Sequence, residues 1–383
     1  MNPKGGTALL GLGFLLSSNA PVAAEAIVGA PTIAKDQANA GPEEPQAFAP
    51  VFNHGVWMRV GTFAHAPDHP ARVDEVSQSA AVQFMFNGRV TPNLGWQADL
   101  RAAYGDRSEA TEARVIDLVA KLESNQHAIN LWIGRMLVPS DRMNLAGPWF
   151  VTTWLDAGQF GGPSSAAVSP HQGQTGRNDG GTLWGQTPRG TLKYYVGAYG
   201  LYEAGTSPLW NARVVCSLLN PEPGYYSDAI YFGEDRIALA GSVQYRKNGS
   251  LAPAPSDGSA PARDDYFEVS SDLLFEKRIA ASVLDLEGAV YRYWGNYEPF
   301  RWNAFAVASY LVGRAVGPGR FQPVIRLQEG GPRQDAGGTA FAVDAQVNYV
   351  VGRNAFKISA GYQHARQSGI DANTVFAGVQ FVQ

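Results

Sequence analysis

Apolar and polar residues alternate along the chain from about residue 56 onward, and this alternation constrains the fold more than any other feature. In the run FAVDAQVNYV, Phe341 and Val343 fall on one side, whereas Asp344 and Gln346 fall on the other. Successive side chains of a β-strand point to opposite faces, so this run predicts a strand with one apolar and one polar face. The spacing i, i+3, i+4 that would indicate helices does not recur.

About sixteen such runs can be counted, and many of them are about ten residues long. They lie near 56–63, 76–86, 94–104, 113–122, 128–138, 181–187, 190–202, 209–218, 236–246, 265–276, 279–292, 302–312, 319–328, 339–350, 355–365 and 373–382. A strand of an ordinary globular protein has about five or six residues, whereas a tilted strand needs about nine to eleven to cross a bilayer. The length of the runs therefore favours strands that span a membrane.

The connections alternate between short turns and longer polar loops. Short gaps such as QTPRG and GRN are separated by the longer segments 64–75, 139–180, 247–264 and 329–338. Outer-membrane barrels have short turns at one end and long loops at the other, so we predict an all-β fold, a transmembrane antiparallel β-barrel of about 16 strands. Segment 219–235 is an exception because it is long where a short turn is expected. A secreted β-sandwich is the alternative, but its strands would be shorter and its loops less asymmetric.

The two faces of the predicted strands differ in charge, and in the clearer strands the apolar face carries none. A Lys or Arg that faces the middle of the bilayer costs about 2–4 kcal/mol, and a closed barrel leaves no backbone group unpaired in the lipid. We therefore expect the apolar face to contact lipid and the polar face to line a water-filled lumen. The run 373–382 is expected to pair with the first strand and close the barrel.

The N-terminal region has the three parts of a secretory signal peptide. These are a charged start at Lys4, the apolar run GTALLGLGFLL and the small-residue stretch NAPVAAEA. Residues 1–26 are therefore predicted to be a cleaved signal peptide, 27–50 a periplasmic linker rich in Ala and Pro, and 51–383 the β-barrel. The apolar run is about 11 residues long, whereas a transmembrane helix needs about 20. The predicted location is the outer membrane of a bacterium.

Several functional classes find no support in the sequence. The net charge is −4 and basic runs are absent, so nucleic acid is not an expected partner. Cys216 is the single cysteine and cannot form an internal disulfide. Neither a catalytic motif nor a zinc-ligand spacing occurs, so no cofactor is expected. The stretch HAPDHP offers His65, Asp68 and His69 as metal ligands, but a metal site would need a more rigid element and further ligands.

Asp285 and Glu287 form the one carboxylate pair with a spacing that suits acid–base chemistry. They lie two residues apart on a predicted strand, hence on one face and about 6.5–7 Å apart. This separation is near that of the catalytic carboxyl groups of glycosidases. In a barrel with many inward charges, the commoner explanation is that both side chains line the interior.

Four segments occur in an order that carries a resemblance to a known family. They are INLWIGRMLVPS, GTLKYYVGAYG, NARVVCSLLNPEPGYY and FQPVIRLQ. The matching residues are Gly134, Arg135, Pro139, Tyr194, Gly197, Gly200, Ala212, Arg213, Gly224, Tyr225, Pro323 and Arg326. Together these segments resemble strands of Gram-negative outer-membrane porins, in particular the phosphate-selective porin O/P family. The resemblance covers roughly residues 50–383.

The resemblance implies a 16-stranded, trimeric channel whose third outer loop folds inward and narrows the pore. That loop corresponds to 139–180, with Asp141, Arg142 and Trp149 as the candidate constriction residues. Anion-selective members of the family have a ladder of basic residues inside the barrel. Here the inward positive charges exceed the negative ones only slightly, so the specificity for phosphate is not carried over.

Charged side chains on the predicted inner face are the candidate pore-lining and selectivity residues. They are Arg59, Arg101, Arg135, Arg213, Arg246, Arg320, Arg326, Lys193, Lys357, Asp99, Glu268 and Asp272. Further inward charges are Lys121, Asp117, Asp285, Glu287 and Asp344. The strand of Arg135 has apolar residues on both faces, so the pattern alone does not fix the direction of that side chain.

The predicted function is passive diffusion of small hydrophilic or ionic solutes, with anions such as phosphate among the candidates. The expected partners are these solutes, outer-membrane lipid and further copies of the chain in a homotrimer. The alternative is a barrel that acts as an adhesin or an enzyme through its surface loops. An enzyme would need an activated nucleophile or a paired acid and base, and the motifs point to neither, so the protein is not expected to be an enzyme.

Overall fold

The computed structural model describes residues 49–67, 75–105, 112–124, 128–155, 176–200, 207–252, 259–298, 300–332, 339–367 and 369–383. The predicted signal peptide and nearly all of the predicted linker lie outside the described residues. Across the ranges just given, none of the helical residues belongs to a helix long and apolar enough to cross a bilayer.

Sixteen antiparallel strands form one closed barrel, in which each strand pairs with its neighbours in the sequence. The strands are β1 (Val51–Pro67), β2 (Glu75–Thr91), β3 (Leu94–Gly105), β4 (Glu112–Glu123), β5 (Asn130–Leu137), β6 (Arg177–Gln186), β7 (Leu192–Tyr199), β8 (Leu209–Leu219), β9 (Arg236–Leu251), β10 (Arg263–Ile279), β11 (Ser282–Trp294), β12 (Phe300–Leu311), β13 (Arg320–Pro332), β14 (Ala340–Val351), β15 (Phe356–Gln367) and β16 (Ile370–Val382). A short helix, α1 (Arg142–Phe150), follows β5. Each of the sixteen predicted runs corresponds to one strand, so the predicted fold class is confirmed.

The barrel closes between β1 and β16, as the alternation in run 373–382 predicts. The two strands are antiparallel, with Val60 opposite Val379 and Arg59 opposite Gln380. The Val56 amide donates to the Gln383 carbonyl at 2.9 Å, and the Gln383 amide donates to the Val56 carbonyl at 3.1 Å. Closure pairs the two strands that would otherwise be edges of the sheet.

The outer surface of the barrel is apolar and the inner surface is polar, as predicted. Val379, Leu239 and Ile325 belong to the outward positions and are 42–51% exposed, whereas the neighbouring inward positions Gln380 and Arg326 are fully buried. Because side chains alternate along each strand, the polar set faces the interior once the apolar set faces out.

Two connecting segments fold into the interior from opposite ends. The segment after β5 contains α1, and the segment 220–235 joins β8 to β9. In an antiparallel barrel, connections after odd-numbered and even-numbered strands lie at opposite ends, so these segments enter from different mouths. The second segment is the stretch that was too long for a simple turn. Its backbone amides at Tyr231 and Gly233 donate to the carboxylate of Glu276 on β10, each at 2.5 Å.

Candidate functional site: the barrel interior

The first inward segment, 139–155, begins with a capped helix. Asp141 is the N-cap residue of α1, and its Oδ1 accepts from the Asn144 amide at 3.0 Å. The hydroxyl of Ser140 donates to the other carboxylate oxygen at 2.9 Å. Such a cap satisfies amides that the first helical turn leaves free. Gly147, with φ of 62°, interrupts the helical backbone in a conformation that glycine adopts without strain.

The segment then crosses the interior and bonds to the opposite wall. Trp149 Nε1 donates to Gln83 Oε1 on β2 at 2.8 Å, and Gln380 Nε2 on β16 donates to the Trp149 carbonyl at 2.8 Å. Further along, Gln346 on β14 donates to the carbonyl of Thr152 at 3.0 Å. The predicted inward third loop is therefore confirmed for residues 139–155, whereas 156–175 lie outside the described residues.

Three cations predicted to line the pore instead hold this segment in place. Arg59 lies with its guanidinium 4.0 Å from the ring centre of Trp154 and donates to the Pro148 carbonyl at 3.2 Å. Lys357 Nζ donates to the Val151 carbonyl at 3.0 Å. Arg326 donates to the Leu155 carbonyl at 3.0 Å and pairs with Asp344 on β14. Their inward direction agrees with the strand pattern, while their effect on selectivity stays a prediction.

Several other predicted charges of the inner wall are buried, and each of them is hydrogen-bonded to a charged or a neutral partner. Arg213 bonds to both oxygens of Asp272 at 2.5 and 2.9 Å, so the two charges offset each other. The remaining contacts are Asp99 with Gln83 at 3.3 Å and Gln97 at 3.1 Å, Glu268 with Tyr266 at 2.5 Å and Gln244 at 3.3 Å, and Arg246 with the Ser207 carbonyl at 3.1 Å. All these charged side chains are buried. The expectation that each inward charge faces open water is therefore wrong for this group.

Two predicted residues do not line the middle of the interior. Arg135 lies on the outer face, in register with the exposed residue Leu118, and bonds to Asp179 through two contacts of 2.6 Å. The inward positions of β5 carry large apolar side chains such as Trp132, which is why polarity did not identify the inner face of this strand. Arg320 lies at the start of β13, where it donates to the carbonyl of Ala281 in a turn at 3.3 Å.

A strip of arginines along β1, β3 and β4 is less buried than the ion pairs of Arg213 and Arg326. Arg101 lies directly opposite Arg114 on the next strand, and both are half-buried, as is Arg59. Sequence reasoning missed Arg114 because a bulge shifts the register between Asp99 and Leu100. One extra residue in a strand reverses the faces of the positions beyond it, and simple alternation does not show such an insertion.

The second inward segment, 220–235, meets the first through Arg142. Arg142 Nη1 donates to Glu222 Oε1 at 2.5 Å, and the hydroxyl of Tyr231 donates to the same oxygen at 2.8 Å. Burial acts to raise the pKa of Glu222, but Arg142 and then Lys193 hold that pKa below its ordinary value. The segment therefore carries a charged carboxylate into the barrel. Neither Glu222 nor Tyr231 was predicted; the unusual length of the segment was the signal.

An aromatic cluster fixes the same segment to the wall. The ring of Tyr225 stacks on Trp132 with centres 4.3 Å apart, and it meets the rings of Trp184 and Tyr195 edge-on. The hydroxyl of Tyr225 donates to the Leu137 carbonyl at 2.9 Å. Buried aromatic rings contribute a large apolar area, and the hydroxyl is satisfied. These contacts anchor the segment independently of Arg142.

The carboxylate pair of Asp285 and Glu287 and the histidine His65, which the sequence offered as sites for other kinds of chemistry, have different surroundings in the structure. Asp285 and Glu287 are both buried, and Glu287 lies 3.6 Å from Arg142 Nε. An acid–base pair needs contact with a substrate or water, so this geometry favours a structural role in holding Arg142. His65 hydrogen-bonds to Thr374 at 3.0 Å and to Ser77 at 3.2 Å. Asp68 and His69, the other two residues of the stretch HAPDHP that were weighed as metal ligands, lie outside the described residues.

The closed barrel of 16 antiparallel strands, with an apolar outside, a polar interior and an inward third loop, is the architecture of porin-like outer-membrane barrels. Solved structures with this fold include OprB of Pseudomonas putida, with a TM-score of 0.64 at 9% identity over 87% of this chain and 94% of that one. They also include OmpT of Vibrio cholerae in a trimer form, with a TM-score of 0.57 at 10% identity over 88% and 100%.

No known family profile matches the sequence, and no curated protein matches it either. At such low identity the likeness is one of fold. The phosphate-selective porin O/P family, which four segments of the sequence resemble, is not singled out within that fold by these comparisons.

Proposed function

We propose that this protein is an outer-membrane channel for the passive diffusion of small hydrophilic or ionic solutes. The observation that carries the proposal is the contrast between the apolar outer belt and the polar interior of a closed barrel. A barrel of 16 strands is of the size that leaves an aqueous passage, and the two inward segments would narrow it. Export by the predicted signal peptide 1–26 and residence in the outer membrane are part of the proposal.

Anions are the solutes that the interior favours. Buried pairs such as Arg213 with Asp272 and Arg326 with Asp344 contribute little net charge to a solute path. The half-buried strip of Arg59, Arg101 and Arg114 places three guanidinium groups on the inner wall. Rings or strips of one charge bias which ions enter a pore.

The test is a planar-bilayer recording with purified protein in a gradient of potassium chloride. We expect discrete conductance steps and a reversal potential that indicates a preference for chloride. The double variant Arg101→Gln/Arg114→Gln should shift the reversal potential toward the cation side, because two accessible positive charges are removed. Arg292→Gln is the matched control, since Arg292 is exposed on the outer face of β11.

The possible results have distinct meanings. Absence of conductance steps from folded wild-type barrels would remove the channel proposal. Equal shifts for the double variant and for Arg292→Gln would remove the arginine strip from the explanation of selectivity while leaving the channel intact.

The outer face of β5, β6 and β7 is proposed as the contact between copies in a homotrimer. It has a shallow groove along Gly134, Gly180, Gly181 and Gly197, where the outward positions Gly181 and Ala198 have little or no side chain. The pair of Arg135 and Asp179 borders it, and charges on a lipid-facing surface are costly. Small residues permit close approach of two membrane segments. The similarity to OmpT, which is described in a trimer form, supports this state.

Filling the groove should separate the copies. A side chain added at Gly181 would meet its nearest neighbours at 3.6 and 3.9 Å, so Gly181→Leu is compatible with the folded barrel. We expect this variant to sediment as a monomer in detergent, whereas the wild type sediments as a trimer. Gly241→Leu is the control, because Gly241 is an exposed glycine on β9 with similar room. A trimeric Gly181→Leu variant would place the contact elsewhere.

A further inference from the structure

Lys193 is a buried cation without a hydrogen bond to any of the residues that the structure describes. It lies on β7 with its side chain inward, and it is 1% exposed. Among the described residues, its ammonium group has no hydrogen-bond partner. A buried ammonium group normally keeps partners for its three donors, because leaving them unmet is costly. This side chain therefore has binding capacity that the described contacts do not use.

The carboxylate of Glu222 is the negative charge that interacts electrostatically with Lys193. Glu222 and Lys193 are electrostatic neighbours, and Lys193 is one of the groups that stabilise the charged form of Glu222. Arg142 donates to Glu222 Oε1 through Nη1 at 2.5 Å and also through Nη2, and Tyr231 donates its hydroxyl to the same atom. Donors from α1 and segment 220–235 thus converge on one carboxylate, which also interacts electrostatically with Lys193 on β7.

The donors Lys193 and Arg142 are held in position by other parts of the barrel, whereas the Glu222 carboxylate is not. Lys193 projects from the barrel wall, and Arg142 is further restrained by Glu287 at 3.6 Å and by the carbonyl of Asp228 at 3.2 Å. The Glu222 carboxylate ends a flexible side chain on a connecting segment whose backbone is anchored elsewhere, at Tyr225 and Glu276. The donor set can therefore persist when the carboxylate of Glu222 leaves or is replaced.

We propose that Lys193, Arg142 and Tyr231 form a binding site for a carboxylate-type anion inside the barrel, and that the Glu222 side chain fills this site in the structure. This inference rests on the proposed channel function, because the ligand would be a permeating anionic solute. A solute carboxylate would compete with Glu222 for the same donors. Glu222 thereby keeps the site weak enough for a solute to leave, as conduction requires.

The test uses acetate as the probe and the full-length barrel as the protein. In Glu222→Gln the amide oxygen still accepts from Arg142 and Tyr231, but the negative charge is gone, so the cations around it attract a free anion. We expect acetate to reduce the chloride current of Glu222→Gln at concentrations at least about tenfold lower than for the wild type, the scale of one charge-assisted hydrogen bond. Titration calorimetry in detergent should show the same gain in acetate affinity.

A second substitution identifies the site. Lys193→Met in the Glu222→Gln background should return acetate sensitivity to the wild-type level, because the unpartnered ammonium is removed. Glu329→Gln, the same substitution at an exposed position of β13, should leave acetate sensitivity unchanged. Retention of the folded, heat-modifiable band on a gel establishes that each variant has assembled.

The outcomes separate this inference from the channel proposal. Wild-type conductance together with unchanged acetate affinity in Glu222→Gln would overturn the anion site and leave the channel standing. A gain in affinity that persists after Lys193→Met would also overturn the assignment, because the anion would then bind elsewhere. Absence of conductance in every variant would overturn the channel, and calorimetry would still decide whether acetate binds.

Discussion

Replacing Asp344 by Asn is expected to lower the free energy of unfolding by about 3–5 kcal/mol, the cost of removing one partner from a buried ion pair. Arg326 and Asp344 face each other on neighbouring strands, and their side chains are 0% and 3% exposed. Without the carboxylate charge, the Arg326 guanidinium would remain buried and uncompensated. Urea unfolding of the barrel in lipid vesicles, followed by tryptophan fluorescence, measures the loss.

Two controls show whether burial is the cause. Arg326→Met/Asp344→Leu removes both charges, so it should recover most of the stability lost in the single variant. Asp371→Asn breaks the pair with Arg366 at the rim, where the two side chains are 33% and 59% exposed, and should change stability little. Equal losses for the buried and the exposed pair would contradict the explanation.

Replacing Val379 by Arg is expected to prevent most of the protein from assembling. Val379 lies in the outer belt on β16, opposite the exposed residues Val60 and Ile358 on the neighbouring strands. If the belt lies in hydrocarbon, an arginine there costs about 2–4 kcal/mol relative to an apolar residue. The folded fraction can be measured by the shift in gel mobility between heated and unheated samples.

The matched control lies on the same strand at the rim. Ile370 is the first residue of β16 and is 59% exposed, and the cost of a charge falls to about 0–1 kcal/mol near the membrane interface. Ile370→Arg should therefore assemble almost as well as the wild type. Similar assembly of both variants would mean that the belt does not lie in lipid.

The strands and their faces could be predicted from the sequence because alternation is a local signal. Val375, Val379 and Gln380 have the directions that run 373–382 indicates, since one side must be apolar and the other polar. The pattern did not fix the direction of Arg135, a candidate pore-lining residue, because the inward positions of β5 carry Trp132 and Met136. Where both faces of a strand are apolar, the pattern loses its information.

The contacts of the interior could be predicted only in part, because they join residues far apart in the chain. The strand pattern identified Arg326 and Lys357 as inward, but their bonds to the carbonyls of Leu155 and Val151 depend on where 139–155 crosses the barrel. The role of Glu222 could not be predicted from the sequence either. Its partner Arg142 is 80 positions away, and no local signal connects the two.

The contact between the two inward segments links the two mouths of the barrel. The Ser227 amide donates to the Leu145 carbonyl at 3.5 Å, and the Ala229 amide donates to the Phe150 carbonyl at 3.3 Å. Segment 139–155 enters the barrel from the long-loop end. Segment 220–235 enters from the end where β1 begins and β16 ends. The two segments consequently form one bonded bridge inside the barrel that is attached to the wall at both ends.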